Sequence, residues 1–344
     1  MPVRASPDEL NIEEPEQLRA YLVQTGRLAP GAAVSLERLP GGVSARTVLV
    51  RHGSGPGWVL KQALPKLRVQ ADWFSDPERI HREAEGLRWL GKSLPVGATP
   101  RFLFEDRDHH LLAMEAVPQP HRNWKTMLLN GEVHDVHVRQ FAILLAQLQR
   151  AAGQESEAVA QAFGDRTFFE SLRLEPYYAY TASQVPASAE FLRALMTETR
   201  ACRLTLVHGD YSPKNVLVRG ERLVLLDHEV IHLGDPAFDL GFSLTHLLSK
   251  AHHLPAHREA FERAALLYWH SYRTAIADVP WREGLEERVV RHTLGCLLAR
   301  VAGRSPLEYL SPAERTRQRE IAVTLMAGPC AAVAEVVEAV LDRL

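Results

Sequence analysis

Cysteine is scarce in this chain. There are three in 344 residues, Cys202, Cys296 and Cys330, widely spaced and without a Cys-x-x-Cys pair. That spacing excludes a disulfide framework and a cysteine-based zinc site, and it fits a reducing, cytoplasmic setting. No apolar run approaches the roughly 20 residues that a bilayer crossing requires, so no membrane partner is expected. The segment from Met1 to Glu9 has no apolar core behind Arg4, and no signal peptide is expected there. An excess of one charge is also missing: 40 Lys+Arg stand against 42 Asp+Glu. Such balance leaves no footprint for a polyanion and argues against a nucleic-acid partner. There is neither an internal repeat nor a low-complexity tract. The length predicts two lobes rather than one small domain.

What the chain does have is concentrated between Leu204 and Gly241. This stretch carries His208-Gly209-Asp210, then Asn215, then Asp227-His228-Glu229, then Asp235 and Asp239. Residues 204–207, 216–218 and 223–226 are β-branched and leucine-rich and read as short strands, with a turn at Arg219-Gly220-Glu221. The acidic and amide groups therefore fall at strand ends and in loops, where a rigid scaffold presents reactive groups.

These residue types at this spacing suit phosphoryl transfer. An aspartate can orient a hydroxyl and accept its proton, while an amide oxygen and a carboxylate from adjacent loops hold the Mg²⁺ that bridges nucleotide phosphates. Protein kinases carry His-Arg-Asp-x-x-x-x-Asn followed by Asp-Phe-Gly. The Asp210 to Asn215 spacing is the same; glycine replaces the arginine, and Asp-His-Glu stands in place of the second motif.

In chain order, residues 8–25 predict a small amphipathic helix with a structural role. Residues 32–62 read as a meander of strands punctuated by Gly and Pro turns. Within it, Pro40-Gly41-Gly42-Val43-Ser44 is a turn in which missing side chains let backbone N–H groups approach phosphate, or else an ordinary hairpin turn. Lys61 ends the run Val59-Leu60-Lys61 and matches the kinase lysine that contacts phosphates; the alternative is a solvated strand-edge lysine. Residues 77–90 read as a helix with Ile80, Ala84, Leu87 and Leu90 on one face. Glu83 is the expected inward partner of Lys61, with Glu85 as competitor. Strands at 101–104 and 111–117 complete a small lobe of residues 1–117. Its last residues, Glu115 to Val117, form a hinge whose backbone groups meet an adenine edge, and Pro118-Gln119-Pro120 marks the boundary. Residues 118–344 form the second, mainly helical lobe. Its helices are expected at 135–152, as two or three pieces over 155–202 broken at Pro176-Tyr177-Tyr178 and near Pro186, and at 236–250, 256–277, 284–302 and 312–343.

With this layout the chain resembles the aminoglycoside phosphotransferase and choline kinase superfamily, from about Leu36 to the C-terminal helices. The most specific part is His208-Gly209-Asp210-x-x-x-x-Asn215 with Asp227. The segment Val59-Leu60-Lys61-Gln62-Ala63-Leu64-Pro65-Lys66-Leu67-Arg68 and the Asp227-x-Glu229 pair are similar to 5-methylthioribose kinases. The resemblance implies an α+β, bilobal protein-kinase-like fold with ATP and Mg²⁺ as cofactors. It implies Asp210 as catalytic base, Asn215, Asp227 and Glu229 as metal ligands, and Lys61 on phosphates, with Gly41, Gly42, Ser44, Glu83, Glu115 and Val117 completing the nucleotide site. Methylthioribose kinases typically carry a serine-type residue at the position of Asn215 and a pair of arginines in a late helix. Here Leu297-Leu298-Ala299-Arg300 retains one of the pair, and Arg304 is a candidate for the other. Those enzymes are dimers, which raises the expectation of a homodimer.

The remaining polar residues each have two readings. Lys214 neutralises the transferring phosphate or is a surface lysine. Asp235 contacts substrate or metal, or caps the following helix, and Asp239 shares these readings or bonds to the catalytic loop. His208 is a structural residue of the loop; His228 lacks a second histidine or cysteine at ligand spacing, which excludes zinc. The acceptor is expected to be a small-molecule hydroxyl, with ATP and GTP not separated by sequence. An antibiotic O-phosphotransferase and a silent nucleotide-binding pseudokinase are the alternatives. Residues 118–344 hold 25 basic against 27 acidic residues, a balance that disfavours a polycationic aminoglycoside.

Overall fold

The computed structural model describes residues 10–40, 43–53, 55–68, 73–328 and 330–344. Helix α1 (Pro15–Gln24) precedes strands β1 (Val34–Arg38), β2 (Ala45–His52) and β3 (Trp58–Ala63). Helix α2 (Arg79–Ser93) follows, and then β4 (Phe102–Asp106) and β5 (Leu111–Glu115). The five strands make one antiparallel sheet in the order β1-β2-β3-β5-β4.

Alternation along β3 decides what each face meets. Leu60, with Val48, Val50 and Leu111, is buried against Leu18, Tyr21 and Leu22 of α1. Val59 and Ala63, with Leu112 and Met114, pack on the other face against Ile80, Ala84 and Leu87 of α2. Each such fully buried aliphatic side chain contributes on the order of 1.5–3 kcal/mol. Lys61 shares the parity of Val59 and Ala63, so it points toward α2. It is opposite Thr47 on β2 and Leu112 on β5. Glu83, on the same side of α2 as Ile80 and Leu87, is only 1% exposed.

Beyond Glu115 the chain is mainly helical and shares one extended core. At its centre runs the helix Pro236–His253, buried at nearly every position. Asp235 caps it, accepting from the Ala237 N–H at 3.0 Å. The loops that carry Asp210, Asn215 and Asp227 come from two small antiparallel strand pairs on this helical base. Thr205–Val207 pairs with His232–Gly234. Val216–Arg219 pairs with Arg222–Leu225 through a two-residue turn in which Gly220 takes φ +62°, as tight hairpins require. The whole is an α+β fold. No described helix is long and apolar enough to cross a membrane.

Three expectations need correction. Residues 176–178 are not a break: the helical run continues from Thr167 to Gln184, with wide π-type turns over Glu170–Ala179 that contain Pro176. A widened turn accommodates the ring and the missing N–H that an α-helix interior rejects. The last long helix is two, Pro312–Ala327 and Val333–Leu341, with Gly328 as the C-cap of the first. The strand expected over 111–117 ends at Glu115, although Ala116 N–H still donates to Gly57 O at 2.7 Å.

Gly241 marks where two helices touch. A Cβ there would sit 2.6 Å from His292 Cβ and from Thr293 N on the helix Leu285–Ala302. Gly241→Ala is therefore expected to destabilise the fold by about 1–3 kcal/mol through forced separation of these helices. A urea titration checks it; an unchanged midpoint would contradict the close packing.

Candidate active site

A cleft of about 1030 Å³ lies between the sheet and the helical lobe. Its upper wall is built by β2, β3 and the segment after β5: Val59, Lys61, Met114, Glu115 and Val117 line it, with Ser44 near the start of β2. Gly41 and Gly42 lie outside the described residues. Ala116 and Pro118 join Glu115 and Val117 at the hinge edge. The Glu115 side chain itself turns to Arg101, at 2.8 Å.

At the back of the cleft one ammonium joins three elements. Lys61 Nζ donates to Glu83 Oε1 and Oε2 at 2.8 and 2.6 Å and to Asp227 Oδ1 at 2.7 Å. Burial disfavours the charge on Lys61, but Asp227 and then Glu83 outweigh it and raise its pKa. Asp227 moves the opposite way: burial opposes its ionisation, and Lys61, with Lys214, holds the carboxyl below its usual range. The sheet and α2 select Glu83 over Glu85, whose side chain is half exposed and approaches Arg82 instead. Asp227 also carries φ +67°. A left-handed backbone at a residue other than glycine stores roughly 1–3 kcal/mol and aims the carboxylate where the hairpin alone would not.

Asp210 is met from two sides. Asn215 Nδ2 donates to its Oδ2 at 2.7 Å and to its backbone carbonyl at 3.0 Å. Arg173 Nη2 approaches Oδ1 at 3.0 Å, while Arg173 Nε donates to Gly209 O at 2.7 Å. Burial opposes ionisation of Asp210, and the Arg173 guanidinium overcomes it and keeps the carboxyl low. The loop behind is held by Asp239, which accepts from the N–H groups of His208 and Gly209 at 2.8 and 2.9 Å. His208 accepts from Asp210 N–H at Nδ1 and bonds Leu226 O through Nε2, both at 3.2 Å. Burial pushes its imidazole down to about 4, so it is neutral. Gly209 sits at φ +77°, and a Cβ there would lie 2.9 Å from Val230 O, which explains why no arginine follows His208.

Glu229 is engaged by a cation that sequence reasoning overlooked. Arg79, fully buried, donates from Nε to Glu229 Oε2 at 3.1 Å. Its other nitrogens donate to the carbonyls of Leu64, Ser75 and Asp76 at 2.7, 3.0 and 3.0 Å, and to that of Ser44. One side chain thus ties the start of β2, the start of α2 and the Asp227-His228-Glu229 loop. Gly86 lets α2 close on that loop, since a Cβ there would lie 3.0 Å from His228 Cβ.

Of the other sequence candidates, Lys214 and Arg300 line the cleft. Asp235 and Arg304 do not. Asp235 is buried as a helix cap and bonds Arg288 Nε at 3.1 Å, and Arg304 pairs with Glu175 at 3.0 Å over the Tyr180 ring. Arg173, Tyr177 and His246 line the cleft and were missed by sequence reasoning. The first two sit in the wide-turned helix that the sequence reads as broken, so no periodicity could place them.

A sheet lobe with a buried lysine–glutamate pair over a helical lobe with an aspartate loop is the protein-kinase-like architecture. Its phosphotransferase character is supported by comparison. The family model of the phosphotransferase enzyme family matches residues 35–275, and the chain belongs to that family. No curated protein matches. Among solved structures, amicoumacin kinase hAmiN, in complex with AMP-PNP, Ca²⁺ and Ami, is 14% identical over 92% of this chain and 97% of its own, with a TM-score of 0.59. A choline/ethanolamine kinase family protein from Mesorhizobium loti is 16% identical over 95% and 99%, at 0.53. The macrolide 2'-phosphotransferase MphH from Brachybacterium faecium is 19% identical over 94% and 98%, at 0.50. At these identities the likeness is one of fold.

The Arg79–Glu229 pair yields a stability test. Arg79→Met leaves a buried carboxylate and several carbonyls without a donor, and a loss of about 3–5 kcal/mol is expected. Glu229→Gln in the same background should recover part of it, as read from urea unfolding of the four-member cycle. Identical losses in the single and double variants would show that the carbonyl contacts alone matter.

Proposed function

We propose that this protein is an ATP- and Mg²⁺-dependent kinase that transfers the γ-phosphate to a hydroxyl of a small sugar- or nucleoside-derived metabolite, methylthioribose-like in class. The carrying observation is the placement of Asp210, clamped between Asn215 and Arg173, in the same cleft as the Lys61–Glu83–Asp227 cluster.

The donor set fits magnesium. Asn215 spends its amide nitrogen on Asp210 and keeps Oδ1, Lys61 takes only Oδ1 of Asp227, and Arg79 takes only Oε2 of Glu229. Hard oxygens therefore remain on all three residues, the ligand type Mg²⁺ selects. When bound, the ion neutralises charge on the β- and γ-phosphates.

The chain supplies the rest. Val117 and its neighbours border the nucleotide base; Lys61, placed by Glu83, faces the phosphates, with Ser44 above them. Asp210 orients the acceptor hydroxyl and takes its proton as the acceptor oxygen bonds to the γ-phosphorus. The bond from that phosphorus to the bridging oxygen breaks, and the electron pair leaves with ADP. Arg173 keeps Asp210 ionised for this role, and Lys214 lies where it can offset charge on the group in transit. We take the enzyme to work in the cytoplasm, as a homodimer if it follows methylthioribose kinases.

An antibiotic O-phosphotransferase is the second reading. The apolar stretch of wall at Leu67, Trp73, Leu172 and Phe242 favours it, as does the likeness to a macrolide phosphotransferase. A silent pseudokinase is disfavoured because lysine, helix glutamate, base and metal donors are all in place.

Asp210→Ala is expected to lower turnover by about 10²–10⁴-fold while Mg·ATP still binds, measured by coupled ADP release against a panel of hydroxyl compounds. Retained turnover would remove Asp210 from the reaction. Asp227→Ala is expected to abolish the magnesium-dependent part of nucleotide affinity in calorimetry, as EDTA does for the native protein. Unchanged Mg·ATP binding would refute the metal assignment.

A further inference from the structure

The cleft continues past Asp210, and its chemistry changes there. From Asp210 the contacts run to Arg173 at 3.0 Å, from that guanidinium to the Tyr177 ring at 5.7 Å, and from Tyr177 OH to Arg300 Nη1 at 3.1 Å. Arg300 is nine-tenths buried, and it lines the cleft together with Tyr177, Phe242, His246 and Ser305. Its Nη1 is used by Tyr177 and by Ser305, whose Oγ lies at 3.0 Å, whereas its Nε has no partner among the described residues. His246, 5% exposed, likewise has an unpartnered Nε2.

One turn further along the same helix, Lys250 is fully buried, with Nζ donating to His246 O at 3.1 Å beneath the Tyr309 ring. No carboxylate pairs with Arg300 or Lys250 among the described residues. Glu308, whose negative charge acts on Lys250 and Arg300, is itself bonded to Lys125. Burial, together with the positive charges of Lys125 and Arg300, pulls the Lys250 ammonium down to about 7. The carboxylates that line the cleft are those of the phosphate centre and two on the sheet side, Glu37 and Glu115. A buried guanidinium without a counter-ion is costly, and the cost is removed by a bound anion.

We infer that the wall formed by Arg300 and His246 is an anion-binding subsite, so that the phosphate acceptor is a hydroxyl compound that also carries a carboxylate, sulfonate or phosphate group. This assignment rests on the phosphotransferase reading of the cleft, and it narrows the proposed acceptor from a neutral methylthioribose-like sugar to an acidic hydroxyl compound. It excludes polycationic aminoglycosides and choline-like acceptors, whose charge this wall repels. Arg300 can present Nε and its Nη2 edge to two oxygens of one anion, the fork geometry that guanidinium offers, while the acceptor hydroxyl lies at Asp210.

Two measurements test it, one of which needs no turnover. In the Mg·ADP complex of the wild-type protein, inorganic sulfate is titrated while the Arg300 Nε–H resonance is followed, assigned by its loss in Arg300→Lys. A saturable shift is expected, and it should persist in Asp210→Ala. An Arg300 signal indifferent to sulfate would overturn the subsite. In the second, wild-type turnover is compared for D-gluconate, D-glucitol and D-glucosamine and for short hydroxy acids beside their amides and amines. Acid members are expected to exceed neutral ones by at least about tenfold in kcat/KM. Equal or greater turnover of neutral or amine members would overturn the acceptor class even if sulfate binds. Absence of all turnover with a sulfate shift intact would count against the kinase reading and leave the anion subsite standing.

Discussion

The ammonium of Lys61 is the point on which the site depends. It is shared by a carboxylate from α2 and one from the hairpin loop of the other lobe, so sheet, helix and catalytic base plate are brought to one place by a single buried charge. Removing the lysine would leave two carboxylates facing each other in a dry cleft, whereas removing either carboxylate leaves one ion pair but unties one of the three elements. Arg79 repeats the arrangement a turn earlier on the same helix, with Glu229 as its acid. Two ion pairs of the same design therefore fix the entry of α2 against the Asp227-His228-Glu229 loop, and Gly86 supplies the room beside them.

The proximity of the residues proposed to carry the reaction was readable from the chain where local spacing holds them. Asp210 and Asn215 lie five residues apart in one loop, and their mutual hydrogen bond follows from that loop's length. Lys61 and Glu83 were readable because both lie in elements with clear periodicity, a strand alternating by two and a helix with a regular apolar stripe. The order of β5 and β4 at the sheet edge, by contrast, is a tertiary outcome that no pattern in the strands specified.

The cleft residues and ties that depend on distant contacts were hard to read for the same physical reason in reverse. Arg173 acts through a contact 37 residues distant in sequence, inside a helix whose turns are not of the regular period. Arg79 is an arginine among charged neighbours at the start of a helix, and its partners are backbone carbonyls of the sheet lobe together with Glu229 of the second lobe, contacts that no periodicity records. Asp235 and Arg304 carried suggestive positions, yet a cap and a surface pair satisfy them away from the cleft. Sequence patterns record how an element meets its own core, and a site built where several elements converge is recorded in none of them.

The wide-turned helix Glu170–Ala179 also makes the acceptor wall easy to remodel. It carries Arg173 on the base side and Tyr177 on the Arg300 side. An α-helix advances about 100° per residue, so deletion of one residue from the widened segment would return it to ordinary turns. Such a deletion would reset the placement of Tyr177 relative to Arg173, which lies four residues earlier in the same segment. Under the proposed reading, a length change in this one helix would alter the wall bordered by Tyr177 and Arg300 and leave the Asp210 loop in place.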